Sequence, residues 1–306
     1  MGFDEPLGKD KREKRKVILQ NLKGYAFIGP NYLLMLVFHA FPVLFTLVLA
    51  FSDWDLLSGF SNINFIGMDN FSAMPTDVWF NRSLFNNFYY TLTVVPGTLI
   101  LSLLLAVLIQ EFAYKKGFFR LLNFVPFISN TVAVSLVWTL LYSKYGPIVN
   151  FLEKIGLSNP PVFLADRSWA MPAIIIMSIW MQLGYYSLIY GAGLQNIPKD
   201  LYEASYMDGA NWWQRFFHVT LPMLSPTTFF VVISLSIASF KVFTQIQVMT
   251  DGGPFGSTSV LVYYIYTAAF KFYKFGYASA MALVLFIIIL IFTLIQWRGQ
   301  KKWANS

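Results

Sequence analysis

The chain contains no cysteine. A disulfide framework, a thiol nucleophile and a Cys-ligated zinc site are therefore excluded. Histidine is nearly as scarce, with His39 and His218 the only two. The topology read below puts them on opposite sides of a membrane, where they cannot share a metal ion, so no metal site is expected. No G-x-x-x-x-G-K-[ST] loop occurs, which removes that route to ATP binding and hydrolysis. H-E-x-x-H and G-x-S-x-G are absent as well. The broadest deficit is charge: 12% of residues are Asp, Glu, Lys or Arg, against about 25% in a soluble domain. Hydrophobic residues make up 57% of the 306, and mean hydropathy is +0.56.

These proportions predict an all-α polytopic membrane protein. Six apolar segments reach the roughly 20 residues that span a bilayer: Tyr25–Phe51, Asn86–Gln110, Leu121–Tyr142, Ser168–Leu194, Pro222–Met249 and Phe275–Trp297. Lys241 is the one charged residue inside them. The alternating strand pattern of a barrel is missing. The first apolar run is too long for a cleavable signal peptide and no small-residue cleavage site follows it, so the N-terminus is expected to stay. No Asp or Glu lies inside a span. That counts against a proton-driven carrier, and less against a sodium-driven one, which can use backbone carbonyls.

The basic residues orient the spans. Lys9, Lys11, Arg12, Lys14, Arg15, Lys16 and Lys23 precede the first. Lys115, Lys116 and Arg120 follow the second, Lys199 and Arg215 the fourth, and Arg298, Lys301 and Lys302 the sixth. Together these are 15 of the 22 lysines and arginines. The positive-inside rule then puts both termini in the cytoplasm. The net charge of +7 is explained by this membrane bias, so nucleic acid is not an expected partner; the polybasic tail could also touch anionic lipid. The expected organisation is a basic cytoplasmic tail over 1–24, a six-helix domain over 25–297 and a cytoplasmic tail over 298–306. Pro42, Pro96, Pro126, Pro172 and Pro226 sit in or near five spans. Kinks suit helices that line a cavity or move, but proline is also simply common in membrane helices.

The loop 196–222, NIPKDLYEASYMDGANWWQRFFHVTLP, carries more structure than a turn needs. Pro198 can open a helix. Asp200 and Glu203 suit its N-terminal dipole, and Gly209 can end it. Asn211 with Gln214 reads as a capping box for a second helix, made sticky by Trp212, Trp213, Phe216 and Phe217. Two short helices joined at a glycine look like a docking surface for a partner.

Glu203-Ala204-Ser205, Gly209 four residues later, and Leu221-Pro222 resemble the EAA loop of binding-protein-dependent ABC importer permeases. Ser205 stands for the usual second alanine and Val219 where isoleucine is common. The segment Phe65–Phe71 with Asn87 and Thr91, the turn Met249–Pro254, Tyr263–Tyr266 and Phe275–Ala280 are similar to the maltose-type carbohydrate permeases, on the side of the "F" subunit. The resemblance implies the six-helix, MetI-like core of type I ABC importers. It implies that Glu203, Ala204, Ser205, Asp208, Gly209, Leu221 and Pro222 couple the chain to an ATPase. The implied complex has a second permease, two copies of a cytoplasmic ATPase and an extracytoplasmic solute-binding protein. This chain then binds no cofactor; ATP and Mg belong to the ATPase subunits, and the chain itself is no enzyme. The implied location is a cell's cytoplasmic membrane, bacterial by resemblance.

Polar and aromatic residues gather in spans four and five: Trp180, Gln182, Tyr185 and Tyr186, then Ser236, Ser239, Phe240, Lys241, Phe243 and Gln245. Sugars offer hydroxyls to polar groups and C–H faces to rings. By resemblance Gln182, Tyr185 and Ser239 line the substrate cavity. Helical spacing adds Ser236 beside Ser239 and a neighbouring strip of Phe240 and Phe243. Other readings stand beside this one. Aromatic residues anchor at interfaces, serines close helix contacts, and Lys241 could snorkel. The expected function is a sugar or oligosaccharide permease subunit. Glycerol phosphate or another organic solute, and a sodium-driven carrier, are the alternatives.

Overall fold

The computed structural model describes residues 7–55, 59, 62–157 and 159–303, with side chains described at residue 16 and over 20–299 of those. Residues 1–6 and 304–306 of the two expected tails, and the side chains of Lys9, Lys11, Arg12, Lys14, Arg15, Lys301 and Lys302, lie outside the described residues.

Helix α1 (Leu7–Met35) continues through a π-type turn at Leu36–Ala40 into α2 (Phe41–Ala50). The turn has a local cause. Pro42 has no N–H for the carbonyl four residues back, and the preceding Phe41 N–H reaches five residues back to Leu36 O. The same device recurs below at Pro222. Two short antiparallel strands, β1 (Ser52–Asp53) and β2 (Asn64–Phe65), and helix α3 (Asp69–Ala73) form a small cap. Asn70 fastens it to α2: its buried Nδ2 donates to Ala50 O at 3.1 Å and Ser52 O at 3.0 Å.

Helix α4 (Val78–Phe112) is the central pillar. Its 35 residues make it about 50 Å long. Asp77 caps it, accepting from Trp79 N at 2.8 Å. Then come α5 (Lys116–Ile128), α6 (Thr131–Leu141), α7 (Pro147–Lys154) and α8 (Ala170–Gln195). Helix α8 packs along both α4 and α5. The α5 crossing is close because Gly184 lies against the backbone carbonyl of Asn123, where a β-carbon would overlap it.

Next are α9 (Lys199–Met207), α10 (Trp212–Arg215), a π-type turn at Phe216–Thr220, α11 (Leu221–Met223), α12 (Ser225–Phe240), α13 (Thr244–Met249), α14 (Leu261–Tyr266) and α15 (Phe275–Trp303). Leu221 N–H again reaches five residues back, to Phe216 O, just before Pro222.

Among the described residues, four helices are long and apolar enough to cross a membrane, and six spans result if each of two bent pairs counts as one. The all-α, six-span reading therefore holds, with two corrections. The third span bends by 95° between α5 and α6. Asn130 starts a new helix there, its Oδ1 accepting from Val132 N at 2.8 Å. The fifth span does not run as one helix over Pro222–Met249. It bends by 65° at Leu224 and stops at Phe240, with Lys241 as the C-cap, before α13 starts at Thr244. A cation suits the negative end of α12.

Three buried clusters hold the bundle. Tyr90, Ile174, Met177 and Ile246 centre one; Phe240, Leu261, Met281 and Leu285 a second; Leu103, Tyr190, Leu224 and Leu235 a third. Phe27, Leu33, Phe38, Leu44, Ile287 and Ile291 remain exposed on α1, the π-type turn after it, α2 and α15, as a lipid-facing surface requires.

Candidate functional site

Each end of α4 gathers a set of residues, and a cavity lies between. At the N-terminal end, side chains of α4 hold the loop before α14. Arg82 Nη1 donates to Phe255 O at 2.6 Å. Asn86 Nδ2 donates to Gly256 O at 3.0 Å and Ser259 O at 2.8 Å, and Ser83 and Ser259 share a 2.8 Å bond. Buried Asn87 accepts from Leu261 N at 3.1 Å. Asp77 takes the hydroxyls of Tyr264 at 2.6 Å and Tyr277 at 2.8 Å. Burial pushes its carboxyl up, but these two bonds and the capping N–H groups outweigh it, leaving the pKa below the usual aspartate value. Asp251 accepts from Tyr263 at 2.9 Å and pairs with Lys271 at 3.1 Å. The segments singled out around Asn87, Asp251, Tyr263 and Phe275 thus meet at one end of the bundle.

The cavity, about 240 Å³, opens where two spans break. Phe127 and Thr131 come from the α5–α6 bend, Tyr90 from α4, Ser178 and Gln182 from α8, and Lys241, Phe243, Thr244 and Gln245 from the α12–α13 break. Broken helices with polar backbone are tolerated at membrane depth where they line such a space. Of the six expected substrate residues, Gln182 and Phe243 line it. Tyr185 stands beside it, stacked on Phe127 at 4.3 Å with planes 7° apart. The other three turn inward. Ser236 accepts from Gln296 Nε2 at 3.0 Å, Ser239 is 2% exposed, and Phe240, 1% exposed, meets Phe88 and Phe292 edge-on. Their face of α12 is the one that packs on α4 and α15. Tyr90, Phe127, Thr131 and Ser178 line the cavity although the sequence reading did not single them out. The Ser129-Asn130-Thr131 run inside an apolar span was a usable signal for the α5–α6 bend; Tyr90 carried none.

At the C-terminal end of α4 lies the two-helix loop. Pro198 N-caps α9 and Asp208 C-caps it. Gly209 follows at φ +74°, a left-handed conformation that glycine adopts without strain. Asn211 and Gln214 form the capping box, Gln214 N donating at 2.9 Å and Asn211 N at 2.8 Å. Three contacts brace the pair: Tyr202 with Thr220 at 2.9 Å, Arg215 3.8 Å over the Tyr206 ring, and Trp212 Nε1 donating to Glu111 Oε2 at 2.7 Å. Glu203, Ala204, Asp208, Gly209 and Pro222 are exposed, and Ser205 and Leu221 half-buried. Met207 at 88% and Trp213 at 63% exposure leave an apolar face uncovered. Glu111 and Trp212 flank a cavity of about 370 Å³ behind the loop.

Residues 71–302 match the family described as binding-protein-dependent transport system inner membrane component. The chain belongs to that family. The permease is 36% identical to a probable ABC transporter permease protein, YesP, of Bacillus subtilis, over 96% of this chain and 95% of that one. It is 32% identical to the lactose transport system permease protein LacF of Rhizobium radiobacter, over 92% and 95%. It is also similar to a chain from the crystal structure of a bacterial ABC transporter that imports the acidic polysaccharide alginate: TM-score 0.81, 25% identity, 95% of this chain and 99% of the other. The permease is thus a multi-pass membrane transport component with the type I ABC importer fold. Among its described residues no three His, Cys, Asp or Glu converge as metal ligands.

Proposed function

We propose that this chain is a transmembrane subunit of an ABC importer for a sugar or oligosaccharide. It supplies half of the translocation pore at the cavity where α5–α6 and α12–α13 break. A second permease supplies the other half. The loop 196–222 docks on a cytoplasmic ATPase, two copies of which bind ATP and Mg and hydrolyse the nucleotide, so this chain itself is not catalytic. Loaded solute-binding protein delivers cargo at the outer end, where Asn86 and Asn87 hold the 250–260 loop. Both termini then lie in the cytoplasm.

The observation that carries this reading is the braced loop. Glu203, Met207 and Trp213 are presented outward on two capped helices, a surface with no use to a carrier that works alone. The saccharide assignment draws on the lactose and alginate systems named above and on a cavity that mixes amides with aromatic faces.

Co-purification tests it. A tagged chain should bring down an ATPase and a second permease, and Gly209→Val should insert normally but lose the ATPase and saccharide uptake. An unaccompanied chain whose uptake follows a sodium gradient and survives ATP depletion would refute the proposal.

A further inference from the structure

Lys241 is exposed on the wall of the cavity between the broken spans. Among the described residues it is the only charged one lining that space, and no acidic side chain there pairs with it. A lysine in a membrane-spanning segment without a counter-charge is a candidate functional site by default, and its charge suits an anion. Lys241 is the C-cap of α12, the end of a helix at which a cation is favoured. It does not reach an α4 or α8 carboxylate, because neither helix offers one to the cavity.

The surroundings restrict the anion. Gln182, Gln245, Thr131 and Thr244 can bond hydroxyls, and Phe127 and Phe243 offer ring faces. That combination suits a sugar ring bearing one negative group. A single ammonium matches the unit charge of a carboxylate. A phosphate draws more positive charge and more donors, typically an Arg fork or an open helix N-terminus; the described lining holds no arginine, the α6 N-terminus at Thr131 is already capped by Asn130, and α13, which starts at Thr244, has only six residues. Resting on the saccharide-import reading above, we propose that the cargo is an acidic saccharide, and that Lys241 binds the carboxylate of a uronic acid unit as it passes.

The test uses the whole complex in proteoliposomes, with its ATPase and solute-binding protein. Uptake is measured for pooled oligogalacturonates and oligomannuronates, for lactose, and for glycerol 3-phosphate. Wild type should take up uronate oligosaccharides. Lys241→Met should lower that uptake about tenfold or more, the scale of one lost hydrogen bond to a charged group, while Lys241→Arg retains most of it. The melting temperature of Lys241→Met should match wild type, which separates cargo binding from folding. Import of lactose with rejection of uronates overturns the inference and leaves the saccharide reading intact, as does uronate uptake undiminished in Lys241→Met. Lys241-dependent uptake of glycerol 3-phosphate in place of uronates assigns a phosphate to the site and also overturns it. Import of no saccharide at all overturns both readings.

Discussion

The indole N–H of Trp212 donates to Oε2 of Glu111 at 2.7 Å, joining the second loop helix to the last turn of α4. A carboxylate at a helix C-terminus is disfavoured by the dipole, so this bond offsets the cost of Glu111's position. It also makes α4 the rod that connects the loop to the far end of the bundle. Trp212→Phe keeps the ring and removes the donor, a loss of about 1 kcal/mol. Transport per ATP hydrolysed should fall a few-fold at unchanged protein level. An unaltered ratio in reconstituted complexes would remove Glu111 from the coupling path.

Gly184 and Gly97 offer a matched pair. A β-carbon at Gly184 meets the backbone of Asn123, whereas one at Gly97 meets the Cδ1 tip of Ile179 at 2.8 Å. A side-chain tip can rotate away and a helix backbone cannot. Gly184→Ala should therefore cost more, roughly 1–3 kcal/mol, and Gly97→Ala less. Thermal unfolding in detergent ranks them; equal or reversed losses contradict the packing argument.

Tyr185 and Ser239 should now behave differently in transport. Tyr185→Ala removes the ring that backs Phe127 at the cavity wall, and uptake should drop or change its sugar range. Ser239 Oγ is buried with no hydrogen-bond partner among the described residues. Ser239→Ala relieves that burial cost, so the protein should be as stable as wild type or more so, with normal uptake. The check is uptake at matched membrane levels beside melting temperature.

Asp77 predicts an acid sensitivity at the N-terminal end of α4. Its pKa in the folded protein lies below the ordinary 3.8. The stability it contributes is present above that ordinary value and is lost as pH falls through the lower folded value. Between about pH 5 and pH 3, wild type should lose melting temperature faster than Asp77→Asn. Parallel curves would show that the Tyr264 and Tyr277 bonds do not depend on the charge.

Topology can be read directly, since the chain has no native cysteine. Single cysteines at Asp69, Pro160 and Ser257 should react with an impermeant reagent in intact cells, and Ser205→Cys should not. Labelling at Ser205→Cys reverses the orientation.

What the sequence determined by itself was short-range. Hydropathy over some twenty residues marked the membrane segments. The capping box of Asn211 and Gln214 and the turn at Gly209 were legible because their hydrogen bonds close within a few residues. Tertiary structure decided which face of each span meets its own chain. Helix α8 is apolar around most of its surface and buries residues on several sides, from Ala170 to Gly191, so no stripe marks the side that faces a cavity. On α12, helical spacing put Ser236 beside Ser239 but could not say that this face packs on α4 and α15, and the expected strip of Phe240 and Phe243 is parted because the helix ends at Phe240. The break after Phe240 likewise shows its use only in three dimensions, where Lys241, Phe243 and Thr244 share one cavity with Phe127 and Thr131 of the α5–α6 bend.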